Sequence, residues 1–251
     1  MGHYDFYVSK GWWQFLLIAI ISYLVGCFNF ARLISRLKKK DVSQLGSGNP
    51  GAMNMIRNFG PVIGFLTFFL DAFKAGIPAM IVSHIYNRGG YVGGEITGNV
   101  FAGTEFPVGC FAAFLSGAFV VLGHVYPITT RFKGGKGIAS GVGLFWLMLG
   151  MANPWFWLIG LVLIISWPIT ISLTRVGSVC SLCYLAGFGV WQIGAMFSAS
   201  YGAASIWGAF SMLCVFAVVG FSWLAHHKNI RDLLAGEEHQ TVIFKKKSLK
   251  K

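Results

Sequence analysis

The chain has 251 residues, of which 55% are hydrophobic, 16% aromatic and only 11% charged, with a mean hydropathy of +0.66 and a formal charge of +12. A water-soluble domain carries about a quarter charged residues, so this composition excludes a dissolved globule and points to an all-α, polytopic membrane protein. The basic excess would suit nucleic acid, but its placement along the chain argues against that partner, as shown below.

A transmembrane helix needs about 20 apolar residues, with a working range near 17–25. On that scale seven spans are expected: Trp12–Ile34, Phe59–Tyr86, Val108–Ile128, Ile138–Met151, Trp155–Leu173, Ser178–Phe197 and Ser205–Leu224. The fourth is short and rich in glycine, which predicts a kinked or partly inserted helix. Pro61, Pro78 and Pro168 lie within or at the edges of spans and predict local bends. No cleavable signal pattern precedes the first span. The five cysteines, Cys27, Cys110, Cys180, Cys183 and Cys214, all lie in apolar stretches. Cys180 and Cys183 have C-x-x-C spacing, but without partnering His or Cys they read as small hydrophobes, and no metal site is expected.

Orientation follows from the basic residues. With the amino terminus outside, the outer segments hold only Lys10 and Arg88, Lys74 falls inside the second span, and the other 17 Lys and Arg collect on the inner side. This is the bias that sets topology in a bilayer. The charge is therefore one cytoplasmic face beside anionic lipid. Residues 1–235 are expected to form one integral-membrane domain, and 236–251 a basic cytoplasmic tail.

The same topology brings several polar turns to the cytoplasmic side. The first is Gly46-Ser47-Gly48-Asn49-Pro50-Gly51, followed by a helical turn that would carry Arg57 back towards it. Glycines let backbone amides approach a ligand, Ser47 and Asn49 add side-chain hydrogen bonds, and a guanidinium fork suits phosphate oxygens. A solvated turn with Arg57 reaching for lipid headgroups is the other reading.

The second is Gly134-Gly135-Lys136-Gly137, directly ahead of an apolar helix. Backbone N–H groups, the helix N-terminal dipole and a fixed cation together make an anion seat. It is not a nucleotide P-loop, because the required glycine and Ser/Thr positions hold Thr130 and Gly137. Its alternative role is a simple positive-inside anchor. Nearby His124 could be a general base, a phosphate donor or a residue closing a helix end. Asp71 and Lys74, three apart inside a span, are either functional or a pair that neutralises itself. Thr174-Arg175-Val-Gly-Ser178 and His226-His227-Lys-Asn229 lie on the same side, where His226, Asn229 and Arg231 could close over an anion.

Together the strings GSGNPGAMNMIR, LDAFKAG, GHVYPITTRFKGGKGIAS and HHKNIRDLLAGEE resemble the bacterial acyl-phosphate-dependent glycerol-3-phosphate acyltransferases, over Gly26 to Glu238. The resemblance implies acyl transfer from acyl phosphate to the 1-hydroxyl of sn-glycerol 3-phosphate, giving lysophosphatidic acid and inorganic phosphate at the cytoplasmic face of a bacterial inner membrane. It implies no cofactor, and it raises the enzyme that makes acyl phosphate as a partner. Carried onto this chain, the family's functional positions are Ser47 and Arg57, Lys136, Ser178, and His226 with Asn229. With Gly46, Gly48, Asn49, Gly134, Gly135, Gly137 and Arg175 as further phosphate-binding positions, these make the expected site. The chain departs from the family pattern at Cys27-Phe-Asn29, where Ser-Ile-Pro is usual, and at Ser43, Met53 and His227, where Arg, Thr and Arg are usual. A transporter for a phosphorylated solute is the rival, but it would want internal repeats and an intramembrane site at broken helices, and no repeat is evident. A noncatalytic lipid-binding scaffold would leave the polar turns without a use.

Overall fold

The computed structural model describes residues 4–86, 91–92, 95–96, 99–101, 106–198 and 205–237. Most of the 87–107 segment and the basic tail at 238–251 lie outside the described residues. Strand β1 (Tyr4–Phe6) leads into α1 (Val8–Cys27), α2 (Phe30–Leu37), α3 (Ala52–Phe59) and α4 (Pro61–Tyr86). Three short strands follow, β2 (Tyr91–Val92), β3 (Glu95–Ile96) and β4 (Asn99–Phe101). The rest is helical: α5 (Val108–Val125), α6 (Ile138–Ala152), α7 (Pro154–Thr174), α8 (Gly177–Ser198), α9 (Ile206–Ala225) and α10 (His227–Leu234). The strands were not expected: β1 pairs parallel with β4 and β2 antiparallel with β3, small ribbons on an otherwise helical protein.

Among the described residues, six helical segments are long and apolar enough to cross a membrane, where seven were expected. The shortfall is α6, whose 15 residues extend roughly 22 Å against a hydrocarbon core of about 30 Å. Every residue from Ser140 to Gly150 is buried, so α6 meets protein on all sides rather than lipid. A helix that is apolar all round belongs in a core, and its length answers to its neighbours instead of the bilayer. Its crossing with α4 is close: a Cβ on Gly143 would sit 2.4 Å from the Ala72 backbone. Small residues permit such approach where no hydrophobic drive separates helix from lipid. α6 hands over to α7 through Asn153 alone, which caps α7 by accepting from the Trp155 amide, with Pro154 at the first helical position.

The first span is broken, not continuous. Phe28 and Asn29 are extended, α1 stops at Cys27 and α2 starts at Phe30. Asn29 explains the break, since its side chain accepts from the Arg32 amide at 2.9 Å as an N-cap and donates to Pro50 O at 3.1 Å. The departure at Cys27-Phe-Asn29 thus ties the break to the first glycine turn. Pro78 and Pro168 sit within continuous helices. Large apolar side chains such as Ile21, Leu158, Leu213 and Phe216 stay exposed on the outer faces of α1, α7 and α9, as lipid contact requires. Far from the polar turns, the Tyr86 hydroxyl donates to Gln14 Oε1 at 2.6 Å and rings of Phe6, Phe15, Tyr86 and Phe111 pack together. All five cysteines are free thiols.

Candidate functional site

At the end where α1, α5, α7 and α9 finish and α4, α6 and α8 begin, the connecting segments enclose a cavity of about 550 Å³. The first glycine turn forms one wall. It is held by Asn54, a buried residue of α3: Asn54 Oδ1 accepts from the Ser47 amide at 3.2 Å, and Asn54 Nδ2 donates to Leu45 O at 2.8 Å and Val42 O at 3.2 Å. Asn58 Nδ2 adds a bond to Asn54 Oδ1 at 2.9 Å. An amide side chain offers both donors and acceptors, so one residue satisfies backbone groups of both signs. The turn itself needs left-handed backbone at Gly46 (φ +54°) and Gly48 (φ +68°), which glycine adopts without cost.

The opposite wall is the second glycine turn. Its first two amides are not directed at the cavity: Gly134 N donates to Val125 O at 3.2 Å and Gly135 N to His124 O at 3.0 Å. These two amides fasten the turn to the end of α5. Gly137, at φ +79°, starts α6 with no side-chain cap, leaving the first helical amides and the positive end of the helix at Ile138 and Ala139, both on the cavity wall. Lys136 reaches across to Asn229, its ammonium donating to the Asn229 Oδ1.

The segment after α9 closes the third side. His226 is 3% exposed, and its Nδ1 donates to Ser222 O at 2.7 Å. A carbonyl can only accept, so the neutral ring carries its proton on Nδ1 and keeps an Nε2 lone pair. Burial, then the neighbouring Lys136 ammonium, push the His226 pKa down to about 4, with the Ser222 contact opposing in part. The imidazole is consequently neutral at pH 7.

Of the expected site residues, Gly46, Ser47, Asn49, Arg57, Lys136, Gly137, Ser178, His226 and Asn229 line this one cavity. Four do not. Gly135 packs beneath the turn, where a Cβ would lie 2.1 Å from His124 Nε2. Arg175 is an exposed left-handed residue capping α7 (φ +60°) and lies outside the lining, because the chain turns there from α7 to α8. Gly48 and Gly134 face a second, more open cleft of about 700 Å³, across the first turn from the main cavity. Arg32, Arg131 and Lys133 line that cleft, and Ser47 and Asn49 border both spaces. The main cavity also takes residues that the sequence reading left out of the site: Asn54, Ser181, Lys228 and Asp232, together with Asp71 and His124. Asn54 lies inside the GSGNPGAMNMIR string, but its turn-holding role needs the folded loop; Ser181, one turn after Ser178 on α8, is legible from helical spacing.

Residues 16–236 match the family model described as glycerol-3-phosphate acyltransferase. The chain is 32% identical over 232 residues to the glycerol-3-phosphate acyltransferase of Pseudothermotoga lettingae, covering 92% of this chain and 96% of the relative. It is 33% identical over 237 residues to glycerol-3-phosphate acyltransferase 2 of Thermotoga maritima, covering 94% and 100%. Among solved structures it is similar to PlsY (YgiH), an integral membrane glycerol 3-phosphate acyltransferase, in its glycerol 3-phosphate form, with TM-score 0.65, 27% identity, and coverage of 90% and 95%. The same enzyme in a lysophosphatidic acid form gives TM-score 0.64. With the matched segment running from the first span to the end of α10, and the polar turns gathered around one cavity, the chain belongs to the glycerol-3-phosphate acyltransferase family.

Proposed function

We propose that this protein transfers an acyl group from acyl phosphate to the 1-hydroxyl of sn-glycerol 3-phosphate, yielding lysophosphatidic acid and inorganic phosphate. The observation that carries the proposal is the convergence of Arg57, Lys136 and the His226–Asn229 segment on one cavity at the end of the bundle where basic residues collect. The split of 17 inner to 2 outer basic residues favours a cytoplasmic site, with the amino terminus outside and the carboxyl terminus inside. Donor and acceptor each bring a phosphate, which accounts for cations on two facing walls.

Acyl phosphate is already activated, so the protein's work is alignment and charge stabilisation. The glycerol hydroxyl oxygen attacks the acyl carbonyl carbon, the carbonyl becomes a tetrahedral oxyanion, and its collapse breaks the carbon–oxygen bond to phosphate. Lys136, Arg57 and the α6 N-terminus stabilise the negative charge. His226, neutral with an Nε2 lone pair, accepts a hydrogen bond from the hydroxyl and orients it. The hydroxyl proton leaves on the departing phosphate. No protein-bound acyl group forms.

The test is acyl transfer by the purified, detergent-solubilised protein given labelled glycerol 3-phosphate with palmitoyl phosphate, palmitoyl-CoA or palmitoyl acyl carrier protein. Labelled lysophosphatidic acid and free phosphate from palmitoyl phosphate alone are expected. Product from a thioester instead would sink the choice of donor, and no product from any donor would sink the reaction.

A further inference from the structure

Beneath the second glycine turn lies a buried ionic cluster that the proposed reaction does not use. Lys74, Asp71 and His124 have side-chain exposures of 5%, 1% and 4%. The Lys74 ammonium lies 2.9 Å from Asp71 Oδ1 as an ion pair. It donates to Phe28 O at 2.8 Å, to Gly26 O at 3.5 Å, and contacts His124 Nδ1 at 2.7 Å. An ammonium has three N–H groups and no lone pair, and two of its partners are carbonyls that can only accept. With Asp71 as counter-ion the lysine stays a donor, so His124 Nδ1 must accept. The ring proton then resides on Nε2.

That Nε2–H faces the turn. Nε2 is the atom a Cβ on Gly135 would strike at 2.1 Å, and His124 itself lines the main cavity. The Gly134 and Gly135 amides are already engaged with the end of α5, so these two backbone donors are not offered to a ligand. His124 lies against Gly135, one of the two. Resting on the proposed reaction, we infer that His124 is a further substrate-binding residue, presenting a neutral Nε2–H to an oxygen of the phosphate held at the Gly134–Gly137 turn. Lys74 and Asp71 are positioning residues that set its tautomer, and no proton is transferred. The two histidines of the cavity thereby take opposite forms, His226 an acceptor at Nε2 and His124 a donor at Nε2.

A hydrogen bond to a charged group contributes roughly tenfold to a hundredfold in affinity. His124→Phe keeps the ring volume and removes the donor, so it should lower kcat/KM by that factor. A rise in KM for glycerol 3-phosphate, or instead for palmitoyl phosphate, identifies whose phosphate sits there. His124→Gln, which can place an amide N–H near the Nε2 position, should recover activity to within about threefold of the wild type. The second measurement is ¹⁵N NMR of histidine-labelled wild-type protein, with His124 assigned by difference from His124→Gln. Its Nδ1 should show an unprotonated nitrogen, and its Nε2 resonance should move when inorganic phosphate is added. This spectrum decides the matter even where His124→Phe does not fold. A protonated Nδ1, an Nε2 indifferent to phosphate, or wild-type kinetics in folded His124→Phe would each overturn the inference. A wild-type protein that makes no lysophosphatidic acid, yet shows the phosphate-dependent Nε2 shift, would refute the reaction and leave the phosphate contact standing.

Discussion

Acidification from pH 7 to 5 tests the electrostatics of the site through His226. In the unfolded chain its imidazole takes a proton near the ordinary 6.5, whereas in the folded protein burial and Lys136 hold it to about 4. The folded pKa is depressed, so between those values the unfolded state binds more protons. The contribution of the neutral, buried ring is fully present above pH 6.5 and is lost as the pH falls towards 4. Each unit corresponds to about 1.36 kcal/mol, so a gap of about 2.5 units caps the loss at about 3 kcal/mol, with about 2 kcal/mol gone by pH 5. For a chain of this size that is a Tm decrease of roughly 4–8 °C. The assay is thermal unfolding in detergent, followed by tryptophan fluorescence, of the wild type and His226→Gln at both pH values. The wild type should lose several degrees more than the variant. Equal losses in the two proteins would refute the assignment of a depressed pKa to His226. In the difference between their kcat/KM profiles the substrate phosphate's own titration cancels, and no inflection near pH 6.5 should remain.

Lys136→Ala should fold and insert normally while losing at least about a hundredfold in kcat/KM, the scale of a donor to developing charge; wild-type turnover would remove Lys136 from the site. Gly135→Ala forces a methyl to 2.1 Å from a ring already tied to Lys74, so the turn must shift by about 1 Å. A misplacement of that size costs about a hundredfold in activity, measured against a Tm change that strain alone would also produce. Asn54→Ala strips the first turn of its Ser47 and Leu45 bonds and leaves buried groups unpaired, lowering stability by about 2–4 kcal/mol in thermal unfolding and raising KM. Asp71→Asn leaves the Lys74 charge without its counter-ion, a loss of about 3–5 kcal/mol that should show as poor yield of folded protein. Normal yield and stability would mean that the pair contributes little to the fold.

Six helices long and apolar enough to cross a membrane were legible because hydropathy over about 20 residues is a local property. α6 was legible only as an anomaly, since its shortness makes sense once it is seen enclosed by other helices. The break at Phe28-Asn29 was hidden inside an apolar run. It depends on Asn29 reaching Pro50, 21 residues away, and on Lys74 taking the carbonyls of Gly26 and Phe28. Likewise, which amides of Gly134 and Gly135 remain for a ligand depends on where the end of α5 lies, and no motif records that.

The sequence by itself determined that the chain is rich in helices apolar enough to span a membrane, which family it resembles, and which polar turns are candidates for its chemistry. These are matters of composition, spacing and residue type. Only the tertiary structure decided that nine of the expected residues share one cavity while Arg175 does not, and that the Nδ1 atoms of His124 and His226 meet opposite kinds of partner, a lysine ammonium and a backbone carbonyl. A proton's position on an imidazole is set by the partner its other nitrogen meets, and for His124 that partner, Lys74, lies 50 residues away in the chain.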